Sequence, residues 1–247
     1  MENGPVDEDL GRQAFLSAYK RMVDAMSDFF WNAFTMLNIN GISGDYVEFG
    51  SAGANSLCLA YDVVRQTPVS RHIWAFDSFE GLPDATDTRD AHPVLTAGVR
   101  RGGIEQFHAA CGQRGVPRNA YTTVAGFYED TLPHLGTSEA PNDIALAYVD
   151  CNMYSSTVSV FEFLEPRLKH GMVVAFDDYF LYSPEHVSGE REALREFLRA
   201  HTEWHFHRYK DIHHNGVSFI VEHEDTNGAP RPGTLSPPNP VTQRYDP

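Results

Sequence analysis

Two apolar runs in this sequence end on bare carboxylates. "IALAYVD" stops at Asp150 and leads into "CNMYSST", and "MVVAFDD" stops at Asp177 and Asp178. Continuous apolar runs of this length suit strands buried on both faces of a parallel sheet. Neighbouring strands lie about 4.8 Å apart, so adjacent tips would bring the three acids together. Like charges that close repel and push one pKa upward. A hard cation resolves the repulsion, and Mg²⁺ takes oxygen ligands while keeping room for water or substrate oxygens. The competing reading has helix N-termini and basic side chains capping the acids, but few Lys or Arg lie near them in the sequence.

A second constellation is "VEFGSAGANS" (47–56), which reads as a strand, a turn with Gly50 and Gly53, and a helix. Glycine lets the backbone approach a ligand closely. The run Gly50-Ser51-Ala52-Gly53-Ala54-Asn55 matches neither GxGxxG nor a P-loop. Glu48 inside the strand end would repel phosphate and attract a cationic group such as an amino-acid ammonium. Asp77, at the end of "HIWAFD" (72–77), suits an acid that accepts from two ribose hydroxyls, or a simple turn residue. Of the twelve histidines, His213 and His214 fall in a predicted hairpin turn. They could reach the strand ends or lie on the surface.

The elements that must carry these residues alternate. Apolar and aromatic residues at helical spacing over 10–40 predict one or two helices. Strands are predicted at "DYVEFGS", "HIWAFD", "AYTTVAG", "IALAYVD" and "MVVAFDD", with helices between them. The helix over 155–171 is expected to start on a hydroxyl cap and stop at a glycine, and Ser188 is expected to cap the helix over 188–201. "WHFHRYK" and "GVSFIVEH", separated by "DIHHN", predict a terminal antiparallel hairpin. The fold class is therefore α/β: a doubly wound, seven-stranded mixed sheet with N-terminal helices. Ligands in such folds sit at the carboxyl ends of the strands near the switch in strand order. The polar stretch 78–103 is long for a simple connection, which points to a functional or a disordered loop.

The chain has 247 residues, 42% of them hydrophobic, which fits one large domain or a domain with a subdomain. We divide it into an N-terminal helical cap (1–41), a main domain (42–223) and a disordered or loosely packed tail (224–247) rich in Pro, Gly and polar residues. A net charge of −15 argues against nucleic acid and anionic membranes as partners and suits a cation site. Three cysteines without metal spacing, an acidic N-terminus and the lack of a spanning apolar run make the cytoplasm the expected compartment.

Four motifs in order, "FDSFEGLP", "AGFYEDTLP", "YVDCNMYSST" and "FDDY", resemble the macrocin O-methyltransferase family over roughly residues 42–222. The resemblance implies a class I (Rossmann-like) methyltransferase fold and an S-adenosylmethionine- and Mg²⁺-dependent O-methyltransferase. The acceptor it implies is a deoxysugar hydroxyl in natural-product biosynthesis, nucleotide-activated or attached to an aglycone, on an enzyme that forms a homo-oligomer. By position, Glu48 and Gly50 would face the methionine end with Ser56 assisting. Asp77 would bind the ribose, with Ser78 and Phe79 beside the adenosine and Gly126 and Phe127 on the adenine side. Asp150, Asp177 and Asp178 would hold the metal. The family pattern carries an acid where this chain has Asn152, and catecholamine-type relatives carry a lysine near Met153. The proton acceptor is then Asp150, or as second choice a histidine. A metal ion that chelates two neighbouring oxygens favours an acceptor with vicinal hydroxyls. Arg100 and Arg101 would meet a pyrophosphate in a nucleotide sugar or remain a solvated pair. Two other readings are a nicotinamide-dependent oxidoreductase, opposed by the broken glycine fingerprint and the closing hairpin, and a non-catalytic cofactor-binding relative.

Overall fold

A computed structural model describes residues 8–226 apart from 86, 91, 93–94, 100–101 and 137, so Arg100, Arg101 and the predicted tail beyond 226 lie outside the described residues. A seven-stranded sheet in the order β3-β2-β1-β4-β5-β7-β6 forms the centre. Five strands run parallel: β1 (Asp45–Phe49), β2 (Ile73–Asp77), β3 (Tyr121–Ala125), β4 (Ile144–Val149) and β5 (Val173–Phe176). β6 (Trp204–Asp211) and β7 (Val217–His223) form the antiparallel hairpin, with β7 against β5. The order reverses between β1 and β4, and every residue of β4 is buried, as its unbroken apolar run requires.

The register decides what emerges at the sheet's carboxyl edge. Phe49 pairs with Phe76 of β2 and Val149 of β4, and Val149 pairs with Phe176 of β5. The next residues therefore lie in one row: Asp77, which ends β2 and still pairs with Ala125 of β3, and Gly50, Asp150 and Asp177, which follow the last paired residues of β1, β4 and β5. Backbone bonds extend the ladder into that row, from Gly50 N to Phe76 O (2.8 Å), Asp150 N to Phe49 O (2.8 Å) and Asp177 N to Val149 O (2.9 Å).

Helices cover both faces. On one lies α1 (Glu8–Ile39), a single helix where one or two were expected, with α2 (Asn55–Val64) and α3 (Ile104–Gln113). The C-terminal half of α1 is part of the core: Phe29, Phe30, Phe34 and Leu37 are fully buried. Phe30 meets Tyr46 edge-on at 5.7 Å between ring centroids and Tyr148 at 5.5 Å. The other face packs against α4 (Tyr128–Thr131), α5 (Tyr154–Leu164) and α6 (Gly189–Ala200), where Phe161 stacks on Phe197 at 4.6 Å.

Two helix starts differ in how they are capped. Ser188 Oγ accepts from Arg191 N at 3.3 Å, as expected. α5 has no side-chain cap of its own, contrary to the hydroxyl cap expected from its sequence. Instead Asp90, from the loop after β2, accepts from Ser155 N at 3.0 Å. A carboxylate near a helix start also favours the helix dipole, so the distant acid displaces the local hydroxyls. α5 also stops at Leu164, earlier than predicted, because a short 3-10 turn containing Pro166 follows. The three cysteines are buried and form no disulfide. Among the described residues no helix is long and apolar enough to cross a membrane.

Candidate functional site

Two clefts open at the carboxyl edge of the sheet and share a wall. The first is lined by the turn Gly50–Gly53, by Asp77, Ser78 and Leu82, by Gly126–Tyr128, and by Asp150–Asn152. The second is lined by Tyr19, Met22, Val23 and Met26 of α1, by the acids Asp150, Asp177 and Asp178, and by His213–Asn215. Asp150, Asn55 and Ser56 belong to both.

In the first cleft, Gly50 is fixed by space. It adopts φ +102°, and a Cβ there would lie 2.0 Å from the carbonyl oxygen of Asp150. Glu48 is completely buried behind this turn and accepts from the Tyr46 hydroxyl and from Ser56 Oγ (3.0 Å). Burial raises its carboxyl to about 7 despite those hydroxyls, so near neutral pH it is poised to respond to a cation. Asp77 accepts from Ala52 N (2.9 Å) and Phe79 N (2.6 Å), which ties the turn after β1 to the turn after β2. Its pKa is raised by burial, against the two amide bonds.

Most of the predicted first-cleft residues converge, with one correction. Gly50, Ser56, Asp77, Ser78, Gly126 and Phe127 line it, and Glu48 supports it through Ser56. The side chain of Phe79 is not part of the lining. Its ring is buried against Phe107 at 5.4 Å between centroids, and only its amide serves the site. Its backbone is left-handed at φ +58°, which turns the side chain into the core.

In the second cleft, Asp150, Asp177 and Asp178 each offer a ligand oxygen, all within 4.8 Å of one another. An all-carboxylate donor set fits a hard, oxygen-seeking cation such as Mg²⁺. Asp177 Oδ1 accepts from the Tyr148 hydroxyl and lies 2.9 Å from Nε2 of buried His213. The hairpin explains this contact, because Val217 pairs with Phe176 and brings the β6–β7 turn over the β5 tip. Burial lowers the His213 pKa, but the hydrogen bond and charge of Asp177, with the charge of Asp178, outweigh it and leave it raised. His214 lines the same cleft.

Asn152 adopts φ +64°. Its Nδ2 donates to Asp150 Oδ1 at 3.3 Å, so it orients that carboxylate.

Sequence reasoning missed Glu190. From the first turn of α6 this fully buried carboxylate accepts from Cys151 N (3.2 Å), Asn152 N (3.4 Å) and Asp178 N (2.9 Å). Its pKa is raised by burial and by the charges of Asp178 and Asp177. No local signal marks it, since an acid in a first helical turn is ordinary. Tyr46 was legible by contrast: the two-residue period of a strand puts it on the same face as Glu48.

The Gly50 geometry is testable by substitution. Gly50→Ala should lose stability to backbone strain, roughly 1–3 kcal/mol, and more as the new methyl drives the β4 tip away. Gly98→Ala is the control, because Gly98 has φ +75° with nothing within 4 Å of its Cβ position. Chemical denaturation should rank Gly50→Ala as the clearly more damaging change; equal losses would show that the close approach to Asp150 does not matter.

Comparison with known proteins agrees with this geometry. The family model described as macrocin-O-methyltransferase (TylF) matches residues 9–207. The 8-demethyl-8-(2,3-dimethoxy-alpha-L-rhamnosyl)-tetracenomycin-C 4'-O-methyltransferase of Streptomyces olivaceus is 31% identical over 148 residues, covering 57% of this chain and 54% of the relative. Demethyldecarbamoylnovobiocin O-methyltransferase of Streptomyces niveus is 30% identical over 156 residues, covering 59% of this chain and 56% of the relative. The matched regions thus span little more than half the length of these relatives. Among solved structures, the O-methyltransferase NovP superposes with a TM-score of 0.67 at 21% identity, over 79% of each chain, a likeness of fold. The calicheamicin methyltransferase CalS11 superposes with a TM-score of 0.61 at 25% identity, over 88% of this chain and 87% of that one. The fold is that of the class I methyltransferases, and the chain belongs to the macrocin-O-methyltransferase (TylF) family.

Proposed function

We propose that this protein transfers the methyl group of S-adenosylmethionine to a hydroxyl of a deoxysugar, with Mg²⁺ held by Asp150, Asp177 and Asp178. The observation that carries the reading is the shared wall: Asp150 lines both the glycine-turn cleft and the three-acid cleft. A donor in one and an acceptor in the other would meet at that carboxylate. The names of the relatives support a glycosidic or nucleotide-linked deoxysugar. One relative acts on a rhamnosyl tetracenomycin, and a solved structure is described as a TDP-rhamnose 3'-O-methyltransferase.

Each residue has a defined task in this reading. Glu48 holds the cationic amino group of the methyl donor through the Gly50 turn. Asp77 accepts from the ribose hydroxyls while its amide bonds keep it in place. Ser78, Gly126 and Phe127 flank the adenosine. When bound, the sulfonium donor supplies an electrophilic methyl and Mg²⁺ supplies charge that polarises the acceptor oxygens. A vicinal diol offers two such oxygens. The side chains of Tyr19, Met22, Val23 and Met26 form an apolar wall that excludes water from this cleft. The methyl would pass to the acceptor oxygen while sulfur keeps the bonding pair as a neutral thioether, and the hydroxyl proton would go to the Asp150 carboxylate. A histidine is the second choice, and His213 and His214 both line this cleft. Asn152 cannot accept the proton, but its Nδ2 keeps Asp150 oriented. A homo-oligomer belongs to the same reading, supported by the exposed Phe15 and Leu16 on α1, which are 68% and 53% accessible.

Three measurements test the reading. With labelled methyl donor and a panel of free, nucleotide-linked and glycosidic deoxysugars, the Asp177→Ala, Asp178→Ala double variant should lose at least about 10²-fold in rate, the scale of removing one charge-stabilising group. EDTA should do the same to the wild type; full turnover in both would refute the cation site. Glu48, raised to about 7, gives a pH signature. An ammonium beside it favours its anion, so donor binding expels a proton and affinity rises as pH climbs toward about 7, then levels off. Calorimetry at pH 6.5 in buffers of different ionisation heat should detect that release, and Glu48→Gln should abolish it. Light scattering on the full chain should give more than a monomer mass; a monomer at all concentrations would remove the oligomer from the reading.

A further inference from the structure

We propose that Glu190 is a positioning residue: one buried carboxylate ties the two acid-bearing strand tips together and thereby sets how tightly they grip a cation. The inference rests on reading Asp150, Asp177 and Asp178 as a cation centre.

Asp150 hangs from the tip of β4 and Asp177 with Asp178 from the tip of β5. The last ladder bond between the two strands runs from Asp177 N to Val149 O, and among the described residues no backbone bond joins the turn after Asp150 to the turn after Asp177, so something else must fix the spacing of those turns. Glu190 does so from below. Its Oε1 accepts from Cys151 N and Asn152 N of the β4 turn, and its Oε2 accepts from Asp178 N of the β5 turn. The two oxygens sit at a fixed covalent separation, so the turns can neither spread nor slip independently.

The carboxylate is itself immobile. It is fully buried in the first turn of α6, which Ser188 caps. Gly189 packs so closely that a Cβ there would lie 2.4 Å from Tyr154 N, locking the start of α6 against the start of α5.

The arrangement is specific to an acid. All three partners are N–H donors, and a carboxylate is the side chain that presents two acceptor oxygens and no donor. Glutamine has the same shape but would turn an NH₂ group toward one of the turns. That turn would be pushed away, and its aspartate with it. Mg²⁺ demands near-ideal octahedral geometry at about 2.0–2.1 Å, so a small displacement costs affinity. Partners behind metal ligands typically contribute about 10–100-fold in affinity.

The test uses Mn²⁺ as the probe and electron paramagnetic resonance of the full chain as the readout, independent of turnover. Wild type should bind one Mn²⁺, and Asp177→Ala should abolish it. Glu190→Gln should weaken binding by about 10–100-fold. Leu168→Ala, which opens a cavity in the core at a residue that lines neither cleft and is not part of the clamp, should lower the melting temperature and leave Mn²⁺ affinity unchanged. Should Glu190→Gln fail to fold, Glu190→Asp keeps the charge but is too short to reach both turns, and the same weakening is expected. Wild-type affinity in a folded Glu190 variant, or equal weakening in Leu168→Ala, overturns the clamp while leaving the cation centre intact. A wild type that binds no Mn²⁺ overturns the centre and the clamp with it.

Discussion

Negative charge gathered at the carboxyl edge of one sheet is the constraint around which this protein is built. Glu48, Asp77, Asp178 and Glu190 are buried there, and Asp150 and Asp177 are half-buried. Removing such charges from water costs several kcal/mol each unless hydrogen bonds replace the lost hydration. The protein answers mostly with neutral donors, His213 beside Asp177 being the exception, since that contact raises its pKa. Tyrosine and serine hydroxyls serve Glu48, backbone amides serve Asp77 and Glu190, and the Tyr148 hydroxyl serves Asp177. Neutral donors satisfy lone pairs without cancelling charge. The field of the acids is therefore left for ligands that carry positive charge, which is what an ammonium, a sulfonium and a divalent ion share.

The hydroxyl donors are anchored in the core. Tyr46 and Tyr148 are fully buried, on adjacent strands, under the aromatic rings of α1. Each ring packs as a hydrophobe while its hydroxyl reaches a carboxylate, a division of labour natural to buried tyrosine. α1 has two roles along its length. Its C-terminal half fills the core beneath these tyrosines, and its middle turns, from Tyr19 to Met26, wall the three-acid cleft. Core packing and site geometry are thus mechanically linked through one helix.

Much of this was legible in the sequence because it is local. Unbroken apolar runs marked β4 and β5, the short gap between two amphipathic strands marked the hairpin, and the acids at the strand ends marked the edge. Register then did the rest, since aligned strand tips bring their next residues into one row. What escaped depends on contacts between distant segments. Glu190 works through amides 12 and 38 residues or more away, and no local pattern announces that. Asp90 took over the start of α5 from local hydroxyls across 65 residues. Phe79 turned inward because its backbone is left-handed, a conformation a bulky residue adopts only when the surrounding fold imposes it. His213 was visible as a hairpin residue, yet only the antiparallel pairing of β7 with β5 decides that it meets Asp177.

The wall common to both clefts bears on how such a scaffold can diversify. Asp150, Asn55 and Ser56 face two compartments at once, so a change in any of them retunes both occupants together. The α1 side chains and the His214–Asn215 turn face one compartment alone. Selection for a new partner molecule can act on those peripheral positions without disturbing the neighbouring cleft, so the helix and the hairpin are free to vary while the shared partition stays put.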